Sequence, residues 1–362
     1  MESRSLILDY IFIFGTSFLI VYGLTPLIIK LAYKLNFIDN PEARKLHSQS
    51  TPLMGGLSVF IGFSLIAVLS SIIYSSRMSS FNTYYYLLGA MVILITGLVD
   101  DKIGLSPIIK LSFQVVVCLI FIHTNNIYTL FGNVYITVPI IVLWMTGLMN
   151  AFNFLDNMDG ILSGMAGILA MGLYAISFII KTPNIFDLST SISILTLAFS
   201  GATFGFLKYN FNPARIFLGD AGSMFFGYFL STMAIHVGQL AVNTMNDKIY
   251  YLLPVLLLSY AIFDISLVSI TRQRDGRRIS QGGKDHSTHR INTAIQSSKI
   301  TALIVYQINM VIILMTIIVL KIGSSILLVI ITIIFILVFN FFGKKLDTIP
   351  IVIPHNQIKK EN

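Results

Sequence analysis

Asn150–Ser163 reads NAFNFLDNMDGILS and lies between two apolar runs, at about 136–154 and 160–180. An apolar stretch of about 20 residues can cross the hydrocarbon of a bilayer as a helix. This segment therefore joins two such helices, and it sets carboxylates and carboxamides at the mouth of a membrane bundle. Asp156 and Asp159 stand three apart, a spacing that puts both on one face if the segment is helical. A solvated turn needs one Asp and one Gly, but this one carries Asn150, Asn153, Asp156, Asn157 and Asp159 ahead of Gly160. Acids at a membrane edge are costly, and by default they mark a cation or polar-substrate site.

The rest of the chain agrees with a membrane bundle. Its 362 residues are 55% hydrophobic and 11% charged, with a mean hydropathy of +0.82. That composition predicts an all-α polytopic integral membrane protein. Apolar runs fall at about 6–30, 54–74, 83–99, 107–123, 136–154, 160–180, 191–208, 222–241, 250–270, 300–320 and 324–342, about 11 transmembrane helices. The N-terminus lacks a strong basic region and a small-residue cleavage site, so it reads as a retained first span. Cys118 is the single cysteine and lies inside a run, which excludes a disulfide framework and a thiol-rich metal site.

Basic residues alternate between connections. One set of loops, with the C-terminal segment, holds 19 of the 24 Lys and Arg, and the other holds Arg4, Arg77, Lys181, Lys248 and Lys321. The positive-inside rule puts the richer set in the cytoplasm, with the N-terminus outside and the C-terminus cytoplasmic. This distribution also argues against nucleic acid as the reason for the net charge of +8. Tyr84, Tyr85, Tyr86, Tyr250 and Tyr251 fall at span starts on the outer side, where amphipathic rings favour the interface. The expected organisation is a single transmembrane domain over 1–343, with cytoplasmic loops near 31–53, 100–106, 155–160, 209–221 and 271–299, then a tail at 344–362. Every segment with chemical potential lies on that cytoplasmic side.

Asp100 and Asp101 end an apolar helix. Adjacent carboxylates repel, and a helix C-terminus disfavours negative charge, so a compensating cation or a base role is expected there. Asp220 follows Gly219 at the start of a span, where backbone N–H groups favour phosphate. Phe217, three residues earlier, could stack on a nucleobase or simply pack. Mg²⁺ takes a few carboxylates plus water and phosphate oxygens, and Asp100, Asp101, Asp156, Asp159 and Asp220 suffice for such a site. His286, His289 and Arg290 sit in a basic loop that suits a diphosphate better than Zn²⁺. Lys45 and His47, with Arg44, make a second small anion-binding cluster. Asp264 reads either as a buried partner of a basic residue or as an orienter. His123, His236 and His355 receive no role.

Taken together, these segments resemble the polyprenyl-phosphate N-acetylhexosamine-1-phosphate transferases, the membrane family that also contains phospho-MurNAc-pentapeptide translocase. The resemblance rests on DNPEARKLHSQSTPLMGG, GLVDD, NAFNFLDNMDG, FLGDAGS and DHSTHR, in that order along most of the chain. It implies transfer of a sugar-1-phosphate, GlcNAc-1-phosphate being the family-weighted expectation, from a UDP-HexNAc to undecaprenyl or another polyprenyl phosphate. UMP is released, and Mg²⁺ serves as cofactor, with Mn²⁺ a permitted substitute. By position it makes Asp100 the base toward the lipid phosphate and Asp101 the second acid of the pair. It makes Asp220 a metal ligand, alongside Asp101, and Phe217 the ring on uracil. Asn150, Asn153, Asp156 and Asp159 fall in the nucleotide-site segment, and His286, His289 and Arg290 near the diphosphate. The implied location is the bacterial cytoplasmic membrane, with the active site facing the cytoplasm and room for a homodimer.

Two departures stand out. Many members carry Asp-Gly-x-Asp-Gly where this chain has Asp156-Asn157-Met158-Asp159-Gly160. The histidine motif is Asp-His-x-x-His-Arg, without adjacent histidines, which favours the branches that start O-antigen, teichoic acid or other envelope glycans. The competing reading is a polytopic ion or organic-anion transporter with a cytoplasmic acidic site. Transporters place coupling residues near the midplane, within repeats, whereas the acids here cluster at span ends.

Overall fold

A backbone in hydrocarbon must satisfy its own hydrogen bonds, which a helix does within one segment; accordingly, the apolar runs are helices. The computed structural model describes residues 2–39, 50–78, 82–180, 186–278 and 283–350. Its helices are α1 (Glu2–Lys34), α2 (Gly55–Ile73), α3 (Thr83–Ile103), α4 (Pro107–Thr124), α5 (Val134–Leu155), α6 (Ile161–Ile179), α7 (Phe186–Asn210), α8 (Gly219–Met245), α9 (Leu253–Leu257), α10 (Ser259–Arg274), α11 (Ser287–Ile295), α12 (Ser298–Ile322) and α13 (Ser325–Asp347). A two-residue antiparallel pair, β1 (Ile38–Asp39) and β2 (Thr51–Pro52), is the one sheet among the described residues. The protein is an all-α polytopic membrane protein. Nine of the described helices are long and apolar enough to cross a bilayer, and a 65° bend between Lys248–Leu257 and Ser259–Arg274 makes a tenth if that pair is one span. The expected count of eleven adds α3.

Local chemistry starts and stops these helices. Ser106 accepts from the Ile109 N–H and Pro107 opens α4, while Asn133 caps α5 through the Tyr135 N–H at 2.8 Å; both side chains satisfy N–H groups that the first turn leaves orphaned. α7 and α8 form the centre, each 89% buried over its apolar window, against 22% for α13. α8 packs on α5 and α3, and α7 on α1 and α6. The start of α8 is approached closely by α3. A Cβ on Gly97 would lie 2.3 Å from the Ala221 Cα, so only a glycine lets these backbones meet. That contact brings the end of α3, with Asp100 and Asp101, beside Asp220.

Two boundaries differ from the sequence reading. The 271–299 connection is partly helical, because α11 occupies Ser287–Ile295. α13 runs to Asp347, past the expected tail boundary at 344, and Lys344 and Lys345 in its last turn complement the helix dipole.

Candidate active site

The carboxylates of three connections meet at one end of the bundle, around a lysine. Lys110 Nζ lies 2.7 Å from Asp100 Oδ2 and 3.2 Å from Asp220 Oδ2. The other Asp100 oxygen accepts the Leu105 N–H at 2.6 Å. Asp101 turns the other way and accepts the N–H groups of Asp220 at 2.9 Å and Ala221 at 3.3 Å. The N–H groups expected to await phosphate at the start of α8 are therefore partly taken by Asp101, which acts as a charged cap for that helix. The residue before Asp220 must leave room for this cap. Gly219 has φ +76°, and a Cβ there would fall 2.6 Å from an Asp101 oxygen. Asp220 is the open member of the group, its side chain 33% exposed against 8% for Asp100.

The Asn150–Ser163 segment lies beside this group. Asn153 Nδ2 donates to Ser223 Oγ at 2.9 Å, which ties α5 to the first turn of α8. Asn150 Nδ2 donates to Gln114 Oε1 at 2.9 Å and to the Thr146 carbonyl at 2.7 Å, so Asn150 is part of the helix packing under the site. Asp156 is half-buried, and burial, with the charges of Asp220 and Asp159, pushes its carboxyl up to about 8. Asp159 was grouped with it but does different work. Its Oδ2 accepts from Asn212 Nδ2 and the Ala214 N–H, both at 3.0 Å, and so holds the 211–218 loop. In that loop the Phe217 N–H donates to the Pro52 carbonyl at 2.8 Å, and the Phe217 carbonyl accepts from the Gly55 N–H at 3.0 Å. The Phe217 ring is half-buried, three residues from Asp220.

The histidine segment is built differently. Asp264, fully buried, accepts from His286 Nδ1 at 2.8 Å, from the Ser287 N–H at 2.8 Å and from Ser287 Oγ at 2.5 Å. With Nδ1 held by a carboxylate, Nε2 is the nitrogen left to meet a ligand. Asp264 is thus a buried partner of His286 that also fixes the direction of its ring. His289 lies with its ring 6.1 Å from that of His286; burial first, then the charges of His286 and Lys284, push it down to about 4, so it is neutral near pH 7. Asp285 is gripped by Arg272 in two bonds, at 2.9 and 2.7 Å, and by Arg277 at 2.8 Å. Burial works against its charge, but these cations with His286 hold the carboxyl at about 2. Arg290, expected near the diphosphate, makes its bonds within the protein instead. Its Nε donates to the Asp285 carbonyl at 3.0 Å, and its Nη1 to the Leu346 carbonyl at 2.9 Å and Asp347 at 3.1 Å. It clips α11 to the end of α13, because burial demands partners for a guanidinium and the helix end offers carbonyls.

Lys45 and His47 lie outside the described residues. Among those described, no three His, Cys, Asp or Glu side chains form a ready metal cage. Asp100, Asp101, Asp156 and Asp220 nevertheless share one mouth with Lys110. Such an excess of hard oxygen donors fits Mg²⁺, which keeps waters and takes one or two carboxylates plus phosphate oxygens. In the sequence Lys110 is one of the basic residues of the richer, cytoplasmic set. Its signal was present: it stands in the first turn of α4, where the helix dipole disfavours a cation.

Comparison with known proteins agrees with this geometry. The model of glycosyl transferase family 4 matches residues 83–238, from the start of α3 through most of α8. The chain is 31% identical over 306 residues to a probable undecaprenyl-phosphate N-acetylglucosaminyl 1-phosphate transferase of Bacillus subtilis (strain 168), covering 82% of this chain and 81% of that one. A decaprenyl-phosphate N-acetylglucosaminephosphotransferase of Mycobacterium leprae (strain TN) is 28% identical, over 80% and 79%. A phospho-N-acetylmuramoyl-pentapeptide-transferase of Anoxybacillus flavithermus (strain DSM 21510 / WK1) is 30% identical, over 62% and 74%. The chain belongs to glycosyl transferase family 4.

Proposed function

We propose that the protein transfers a HexNAc-1-phosphate, GlcNAc-1-phosphate foremost, from a UDP-sugar to undecaprenyl or a related polyprenyl phosphate, releasing UMP. The observation that carries this reading is the gathering of Asp100 and Asp220 around Lys110, with Asp101 on the Asp220 N–H, at the mouth lined by Asn153 and Asp156. The printed names of the relatives support the same acceptor and sugar. Orientation follows the lysine and arginine asymmetry, which faces this mouth to the cytoplasm of a bacterial inner membrane.

Both substrates are anions, so the barrier is electrostatic, and catalysis consists of positioning and charge compensation. Asp220, the exposed carboxylate, would hold Mg²⁺ with water and substrate oxygens completing its shell. The ion supplies neutralisation of charge at the transferring phosphate. Asp101 fixes the start of α8 and with it the direction of Asp220. Asp100 is paired with Lys110 and the Leu105 N–H, an arrangement that anchors the lysine rather than one that frees a base. The acceptor hardly needs one, since the second pKa of a phosphate monoester is about 6 and the nucleophilic oxygen is already ionised at pH 7. Lys110 offers its ammonium to the incoming phosphate. His286, oriented by Asp264, presents Nε2 to the diphosphate, and neutral His289 offers one donor and one acceptor. Phe217 would stack on the uracil. The transporter reading gains no support, because the polar groups collect at one end of the bundle.

The test is UMP release by purified protein with undecaprenyl phosphate, Mg²⁺ and a panel of UDP-HexNAc donors. Lipid-dependent UMP release that disappears in Asp220→Asn supports the reading, and the best donor identifies the sugar. No turnover with any donor by folded protein overturns it.

A further inference from the structure

We propose that Asn157 and Thr288 form a positioning bridge that fixes the spacing between the carboxylates and the imidazoles, and that it governs turnover rather than donor affinity. The proposal rests on the transferase reading of the same mouth. Thr288 Oγ1 donates to Asn157 Oδ1 at 2.7 Å, and Thr288 is fully buried. Asn157 is not free to swing, because its Nδ2 donates to the Phe154 carbonyl at 2.8 Å. Among the described residues this is the one hydrogen bond between the 156–160 segment and α11.

Each end of the bridge sits in a fixed frame. On one side Asp156 precedes Asn157, and Asp159 ties the same turn to Asn212 and Ala214. On the other, Ser287 is held by Asp264 and by Tyr260, whose hydroxyl is 3.0 Å from Ser287 Oγ. His286 and His289 flank Thr288 in the chain. A slackened bridge would therefore let two rigid groups of side chains drift apart rather than remove a ligand contact. Charge shifts between the donor diphosphate and the acceptor as the transfer proceeds. Groups aimed at that shift are felt more in the transition state than on binding, and a displacement of about 1 Å can cost up to about 10²-fold. Both partners lie in the two segments where the chain departs from the pattern of the family it resembles, and the structure joins those departures.

The experiment is steady-state UMP release by the full-length protein with undecaprenyl phosphate and the best UDP-HexNAc donor. Thr288→Val, which keeps shape and loses the hydroxyl, is expected to lower kcat about tenfold, in line with a buried hydrogen-bond partner left unsatisfied. Its donor KM should stay within about twofold. Thr288→Ser should return kcat close to the wild-type value. Asn157→Gly should match Thr288→Val, and the double variant should be no slower than the slower single one, as for two halves of one contact. Unchanged kcat in Thr288→Val, no rescue by Thr288→Ser, or a double variant slowed by the product of the two single effects overturns the bridge. Should Thr288→Val fail to fold, Asn157→Gly decides alone, and wild-type kcat in it overturns the proposal. Absence of turnover in the wild type would instead refute the transferase reading.

Discussion

The two walls of the mouth satisfy their charges in opposite ways. In the wall made by α3, α4, α5 and α8, Lys110 is the cation that touches Asp100 and Asp220, with Asp101 and Asp156 close by. In the wall made by α10, α11 and α13, Asp285 is matched by Arg272 and Arg277, and Asp347 by Arg274 and Arg290. The ion pairs of the second wall close among themselves. In the first, carboxylates outnumber the one lysine that touches them, an excess that the proposed Mg²⁺ would offset. The same residue types thus serve as scaffold where their charges close, and as chemistry where they do not.

The largest effect should come from breaking the closed wall. Asp285→Ala takes the carboxylate from beside buried Arg272 and Arg277, and breaking a buried pair from one side costs about 3–5 kcal/mol. A large drop in thermal midpoint in detergent is expected, whereas an unchanged midpoint would mean the wall is not held by that cluster. Breaking the open wall should act on rate instead. Lys110→Met should lower kcat/KM about 10²–10³-fold, as for loss of a preorganised electrostatic contact, with a small change in midpoint. A large stability loss without a rate effect would reverse the comparison.

Acid should sharpen it further. The Asp285 carboxyl is at about 2 in the fold against about 3.9 unfolded. Its contribution, about 2.6 kcal/mol, is therefore present above pH 4 and lost as pH falls through 2. Acid titration of stability in Asp285→Asn should lack that component. Asp156 runs the other way. Its carboxyl at about 8 means the fold holds a proton that the unfolded chain has lost, so stability in metal-free buffer falls as pH rises from about 4 to 8 and is level above. Between pH 7 and 8 the fall is about 1 kcal/mol, the smallest of these effects. A pH series of thermal midpoints should show a shallower slope in Asp156→Asn than in the wild type.

The contrast also explains what could be read from the chain alone. Spans and acids announce themselves, since apolar length sets the helices and carboxylates at span ends are expensive enough to need a reason. Pairings did not. Lys110 and Asp220 are separated by 110 positions, and the packing of α3 on both α4 and α8 brings them together. Arg290 looked like a diphosphate binder because it follows His289, but side-chain direction sends it to Leu346 and Asp347 at the far end of the chain. Asp264 left two roles open until His286 and Ser287 were seen to fold back over it. The pairings left unread are those whose two partners sit on different helices.

The most direct test sets one residue from each wall side by side. Lipid-dependent UMP release and thermal midpoint would be measured for wild type, Asp220→Asn and Arg290→Lys. Asp220→Asn should keep its midpoint and lose turnover by about 10²-fold or more, while Arg290→Lys should lose stability and keep most of its turnover per folded molecule. An active Asp220→Asn beside a stable but inactive Arg290→Lys would contradict the division of these charges into an open catalytic cluster and a closed structural one.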